Sequence, residues 1–102
     1  MTIPAQLVLN ILLEDPQREV YGRELGEAAG LPSGTIHPIL ARLEGMGWLE
    51  SRWEDIDTSA AGRPARRYYR LTADGAVRAR EALTRAYRGR APRTIRPARG
   101  EA

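Results

Sequence analysis

The stretch Ala29-Gly-Leu-Pro-Ser-Gly-Thr-Ile-His-Pro-Ile-Leu-Ala-Arg-Leu-Glu-Gly-Met-Gly-Trp-Leu-Glu50 decides how this chain folds. Gly30 suits the left-handed position just past a helix, and Leu31-Pro32 makes a turn. Ser33 is an N-cap residue type, and it opens a helix that runs to about Met46. Ile36, Ile39, Leu40 and Leu43 recur at i, i+3, i+4 and i+7, the inner stripe of that helix. Pro38 removes one backbone hydrogen bond in the early turns and predicts a slight kink. Gly45 and Gly47 end the helix, and Trp48-Leu49 enter a strand.

Upstream, Tyr21 to Ala29 reads as a shorter helix with Leu25, Ala28 and Ala29 on one face. Before it, Thr2 is an N-cap and Pro4 lies inside the first turn of an N-terminal helix. The run Leu7-Val-Leu-Asn-Ile-Leu-Leu13 is apolar on nearly every side, which implies burial on two sides. Either a small core wraps this helix, or a second chain covers its far side. Pro16 disfavours helical geometry at Asp15 and ends it.

Downstream, Trp48 to Ile56 reads as a strand, with Leu49, Ser51 and Trp53 alternating against Glu50, Arg52 and Glu54. Arg67 to Leu71 is its antiparallel partner, with Tyr69 and Leu71 facing inward. Trp48 and Trp53 are expected as core anchors or as cover for the sheet. The residues between form a loop rich in turn formers, ending in Gly62-Arg-Pro-Ala-Arg-Arg-Tyr-Tyr-Arg-Leu-Thr72. Thr72 caps a last helix, through about Arg88, that carries Ala76, Ala79, Leu83 and Ala86 as a narrow 3-4-3 seam. Residues 89–102 combine Pro, Gly and Arg without apolar periodicity and read as a disordered basic tail. The expectation is one domain over residues 1–88, mainly α with a small β-hairpin (α+β).

The 102 residues carry a net charge of +3 that hides a polarity. Residues 1–62 hold four Arg against ten Asp and Glu, a balance of −6, and residues 63–102 hold twelve Arg against three acids, a balance of +9. A basic half fits a polyanion, most often nucleic acid. With no cysteine, disulfides, thiolate metal sites and cysteine nucleophiles are excluded. His37, the lone histidine, has no second His to share a metal. Ser33, Ser51 and Ser59 sit in no nucleophile elbow, and no phosphate-cradling glycine loop follows a strand. No enzyme, cofactor or metal site is therefore expected. No apolar run approaches the ~20 residues of a membrane span, and the N-terminus lacks a signal-peptide core, so a cytoplasmic protein is expected.

A helix-turn-helix followed by a basic β-hairpin is a winged helix, a shape that lays one helix in a DNA major groove with arginines beside it. The inner stripe of the third helix leaves Ser33, Gly34, Thr35, His37, Pro38 and Arg42 for its outer face. Their hydroxyls, free helix-start amides and guanidinium suit base edges and phosphates. Arg63, Arg66 and Arg67 sit at or beside the hairpin tip, where they can line phosphates or enter the minor groove. Glu54, Asp55 and Asp57 on the other arm would repel phosphates unless they point away or pair with Arg. The competing reading is a winged helix used as a protein-interaction module, with the tail as its docking segment.

At these residues the chain resembles the PadR-like family of bacterial winged-helix transcriptional regulators. The resemblance runs from about Leu7 to Leu83 and rests on Leu31 to Glu44, Gly47-Trp-Leu, and Gly62 to Thr72. It implies a homodimer that represses promoters at a near-palindromic double-stranded DNA operator. It implies that Ser33, Gly34, Thr35, Pro38 and Arg42 belong to the recognition helix, and Gly62, Arg63, Pro64, Arg66 and Arg67 to the wing. His37 stands where the family usually carries Tyr. The last helix is implied to dimerise with the first, which makes Leu9, Leu13, Ala76, Ala79, Leu83 and Ala86 the candidate dimerisation residues. Some members release DNA on binding a phenolic or drug-like molecule, so a small planar aromatic effector is admitted as a partner.

Overall fold

Thr2 starts the first helix as expected: its hydroxyl oxygen accepts from the Ala5 N–H at 3.3 Å. From there the structure, a computed structural model that describes residues 1–90, runs α1 (Ile3–Glu14), β1 (Val20–Tyr21), α2 (Gly22–Ala29), α3 (Ser33–Gly45), β2 (Leu49–Trp53), α4 (Thr58–Ala61), β3 (Arg67–Leu71) and α5 (Ala73–Arg90). The helix-turn-helix, the hairpin and the added last helix all stand where the apolar periodicities put them. α5 continues two residues past the expected end. The rest of the proposed tail lies outside the described residues.

Three details differ from the sequence reading. Val20–Tyr21 is a strand, not the start of α2, and it adds to the hairpin to give a three-stranded antiparallel sheet in the order β1-β3-β2. Two residues are too short to show alternation, so only the pairing with β3 reveals them. Second, β2 ends at Trp53 rather than Ile56, because Asp57 caps a single helical turn: its carboxylate accepts from the Ser59 and Ala60 amides. Third, Ala28 is exposed and Gly26 takes its buried place on α2. There a Cβ on Gly26 would stand 3.0 Å from the Leu31 carbonyl oxygen, so glycine lets the turn close without a shift of that backbone.

Val8, Leu9 and Leu12 of α1 form the centre of the core with Leu25, Ile36, Leu40 and Leu43 of α2 and α3. Leu49, Tyr69 and Leu71 close it from the sheet and Ala76 and Ala79 from α5. Each fully buried Leu or Ile contributes about 1.5–3 kcal/mol relative to an exposed one. Trp48 is packed against this cluster, as expected of an anchor. Trp53 is not: it is 61% exposed. It shares the inward-facing row of β2 with Leu49 and Ser51, but the core cluster takes in Leu49 of that row and not Trp53.

Candidate nucleic-acid interface

Helix α3 divides its surface sharply. Ile36, Leu40 and Leu43 are buried, while Ser33, Gly34, His37, Pro38, Ala41 and Arg42 are exposed. The helix starts one residue earlier than the cap rule implied: Pro32, in extended geometry, is the cap residue, and its carbonyl accepts from the Thr35 and Ile36 amides at 2.9 and 3.0 Å. No side chain caps this end. Ser33 is thus the first helical residue, and its hydroxyl is not committed to capping. Pro38 has no N–H to give the Gly34 carbonyl, so that oxygen lacks its usual helical donor. The His37 ring leans over Gly22, where a Cβ would stand 3.2 Å from its Cε1. Thr35 sits on the other flank of the helix and is half-buried.

Beside the His37 flank runs a groove of about 380 Å³ between α2, α3 and the hairpin. Arg23, His37, Arg63, Arg66, Arg67, Tyr21 and Trp53 line it. The structure thus brings His37 of α3 and all three expected wing arginines to one place. The arginines are not equivalent. Arg63 donates to both oxygens of Glu54 at 2.7 and 3.1 Å, a bidentate pair. Glu54 also accepts from the Arg66 backbone N–H at 3.2 Å. The Arg63 hydrogen bond, more than any other contact, holds the Glu54 carboxyl far below its ordinary value, at about 2. The acids of the opposite arm do not simply oppose phosphate: Glu54 is paired with Arg63 and Asp57 is engaged as a cap.

Arg67 ties the hairpin to α3. Its Nε donates to the Ser51 hydroxyl at 3.1 Å, and its Nη2 lies 3.5 Å from a Glu44 oxygen. Ser51 in turn donates to Glu44 at 2.5 Å. The Arg67 guanidinium also lies over the Trp53 ring, 5.3 Å from its centroid. Arg66 is different again: its guanidinium lies 4.4 Å from the centroid of the Tyr21 ring. The sequence reading missed Tyr21, Glu44 and Ser51. Nothing in their spacing marks them, because they meet only through strand pairing and the packing of α3 on β2.

On the Thr35 flank lies a larger groove of about 970 Å³ between the start of α1, α3 and α5. Ile39, Leu43, Met46, Trp48, Ala82 and Ala86 give it an apolar lining, and Thr35, Pro38, Arg42 and Arg85 stand at the same groove. Thr35 and Arg42 therefore border both the outer face of α3 and this cavity.

The expected dimerisation residues fall into two groups. Leu9 and Ala79 are fully buried in the chain's own core and Ala76 is nearly so, which leaves them no surface for a second chain. Leu13, Leu83 and Ala86 are half-buried. The exposed apolar side chains of these two helices are instead Ile3 and Leu7 on α1 and Val77 and Tyr87 on α5. Among the described residues no group of His, Cys, Asp and Glu side chains is placed to hold a metal ion, and no helix is long and apolar enough to cross a membrane.

The Transcriptional regulator PadR-like family matches residues 8–81, which take in the second half of α1, all of α2 and α3, the wing and half of α5. The chain belongs to this family. No curated protein matches the PadR-like chain. Among solved structures it is similar to reduced AbfR bound to DNA, with 26% identity and a TM-score of 0.67 over 92% of this chain and 59% of that one; AbfR comes from Staphylococcus epidermidis. It is similar to the PcaV transcriptional regulator from Streptomyces coelicolor, with 34% identity and a TM-score of 0.61 over 81% and 54% of the two chains. A PadR family transcriptional regulator from Eggerthella lenta shares 29% identity and a TM-score of 0.62 over 80% and 72%. The PadR-like chain thus spans less than two thirds of the length of AbfR and PcaV.

Proposed function

We propose that this PadR-like chain is a sequence-specific DNA-binding regulator, working as a homodimeric repressor in the cytoplasm and without a catalytic step. One observation carries the reading. Ser33, Gly34, His37, Pro38 and Arg42 are exposed on the outer face of α3, and the groove along its flank is lined by four arginines. Small and polar residues (Gly34, His37, Pro38, Arg42) let that face approach base edges closely, and the wing arginines suit phosphates. A protein-docking face would carry larger apolar groups at those positions. The DNA-bound state of the similar AbfR supports the same reading.

Two α3 helices related by a two-fold axis would enter successive major grooves, so the preferred site is a near-palindrome with half-sites about one helical turn (~34–36 Å) apart. Selection of duplexes from a random pool, followed by fluorescence anisotropy over a salt series, tests this. The expected result is an enriched near-palindrome and an affinity that falls steeply with salt. No binding to any duplex at low salt would favour the protein-interaction module instead.

The apolar groove beside α3 supports an effector as well. A small planar molecule against Trp48 would share its walls with Thr35 and Arg42, so its occupation would compete with their use on DNA. With Trp53→Phe removing the second indole, 4-hydroxybenzoate should quench Trp48 fluorescence and weaken DNA binding over the same concentration range. Quenching with unchanged DNA affinity would remove the regulatory role.

A further inference from the structure

We infer that Tyr21 is a positioning residue for DNA binding: its ring face holds the Arg66 guanidinium ready for a phosphate in the groove between wing and α3. The inference rests on the DNA-binding reading above. The strand register sets Tyr21, Tyr68 and Arg52 side by side across β1, β3 and β2. Their side chains form one continuous row. The Tyr21 ring meets the Tyr68 ring edge-on, with centroids 5.8 Å apart and planes at 70°. The Arg52 guanidinium lies 5.2 Å from the Tyr68 centroid. Glu19 accepts from Arg52 at 2.7 and 2.8 Å and closes that end of the row. Arg66 lies over Tyr21 at the other end, where the row reaches the groove.

The charges single out the same residue. Arg63 faces Glu54 and Arg67 faces Glu44. Among the described residues Arg66 makes no ion pair, so of the three wing arginines it keeps the least compensated charge. An arginine free to sample many rotamers loses that freedom when it grips a phosphate. One already stacked on a ring loses less, because a π-face attracts the cation without competing for its N–H donors. The ring does not neutralise the guanidinium as a carboxylate would. Tyr21 thus acts through Arg66 and need not touch DNA itself.

The test measures binding to a random-sequence duplex by anisotropy over a salt series, for the native protein, Y21F, Y21I, R66A and Y21I/R66A. Y21I keeps a strand-forming apolar residue and removes only the ring. Y21F should bind like the native protein, and Y21I about 3- to 10-fold more weakly, the scale of ordering one long side chain. R66A should lower the salt slope by about one, and Y21I/R66A should bind no more weakly than R66A. Native-like binding by Y21I alongside a weakened R66A overturns the inference, as do additive losses in the double variant or a Y21F as weak as Y21I. If R66A binds and responds to salt like the native protein, the assignment of Arg66 to phosphate fails and the role of Tyr21 falls with it. Should Y21I not fold, the native protein still decides. Arg66 side-chain protons should show an upfield ring-current shift by NMR, and random-coil shifts there would overturn the stacking.

Discussion

The carbonyl oxygen of Trp48 stands 2.0 Å from the point where a Cβ on Gly75 would lie. The first turn of α5 therefore sits directly on the backbone at the entry to β2. Thr72 secures the contact: its N–H donates to the Trp48 carbonyl at 3.0 Å, its hydroxyl donates to the Gly47 carbonyl at 2.9 Å, and the same hydroxyl oxygen accepts from the Gly75 N–H at 2.8 Å. The last helix and the chain leaving α3 are joined at this point.

Gly75→Ala should therefore destabilise the protein by about 3 kcal/mol, the upper end of overpacking costs, because the obstructing atom is backbone and cannot rotate away. Urea unfolding measures it. Gly34→Ala is the control, since nothing lies within 4 Å of its added methyl. It should leave stability unchanged or raise it by up to ~1 kcal/mol through helix propensity, yet weaken DNA binding by thickening the face that meets the bases. Equal stability losses in both variants would contradict the packing argument.

The Glu54–Arg63 pair predicts a pH response. The Glu54 carboxyl ionises at about 2 in the folded chain against an ordinary 4.5. A depressed carboxylate stabilises the fold above its unfolded pKa, and that contribution is lost as pH falls through the folded value. The Glu54 share of stability should be full above about pH 4.5 and gone below about pH 2. An NMR titration of the Glu54 side chain should give a midpoint near 2. In Arg63→Ala the midpoint should move up toward the ordinary value. A native midpoint near 4.5 would show that the pair does not form in solution.

Arg42 and His37 are the exposed long side chains on the outer face of α3. Arg42→Ala should cost about 1–3 kcal/mol on the selected duplex and much less on random duplex, the mark of a base contact. His37→Tyr should shift which sequences are selected. Thr35, half-buried at the apolar groove, should affect base preference less than Arg42 does. Parallel losses on both duplexes for Arg42→Ala would assign it to phosphate instead.

For the dimer, the exposed apolar residues carry the prediction. Tyr87, 69% exposed on α5, and Leu7, 41% exposed on α1, present apolar surface that a second copy would cover. Leu7→Glu with Tyr87→Glu should give a monomer by sedimentation, with native helix content and weakened binding to the near-palindrome. A doubly substituted protein that remains dimeric would place the interface elsewhere.

Much of this architecture is legible in the chain. The i, i+3, i+4, i+7 stripe of α3, the glycines after α2 and α3, and the cap at Thr72 each predict their element, because each is a local pattern of burial or backbone geometry. The positive φ of Gly30 and Gly47 (69° and 80°) meets that expectation. The arginine-rich hairpin tip is equally visible as composition.

What the residue order could not disclose is which partners these side chains find across the fold. Two-residue β1 exists only because β3 offers it an edge, so Tyr21 carries no local signal of its contact with Arg66. Trp53 has the alternation of a core residue but lies exposed at the groove, beneath the Arg67 guanidinium. Leu9 and Ala79 fit an intersubunit seam by spacing, yet α1 and α5 of one chain already enclose them. Period and capping follow from neighbours a few residues apart. Burial and charge pairing depend on which surfaces meet in space, and here that meeting left Arg66 open to the groove while Arg63 and Arg67 each face a carboxylate.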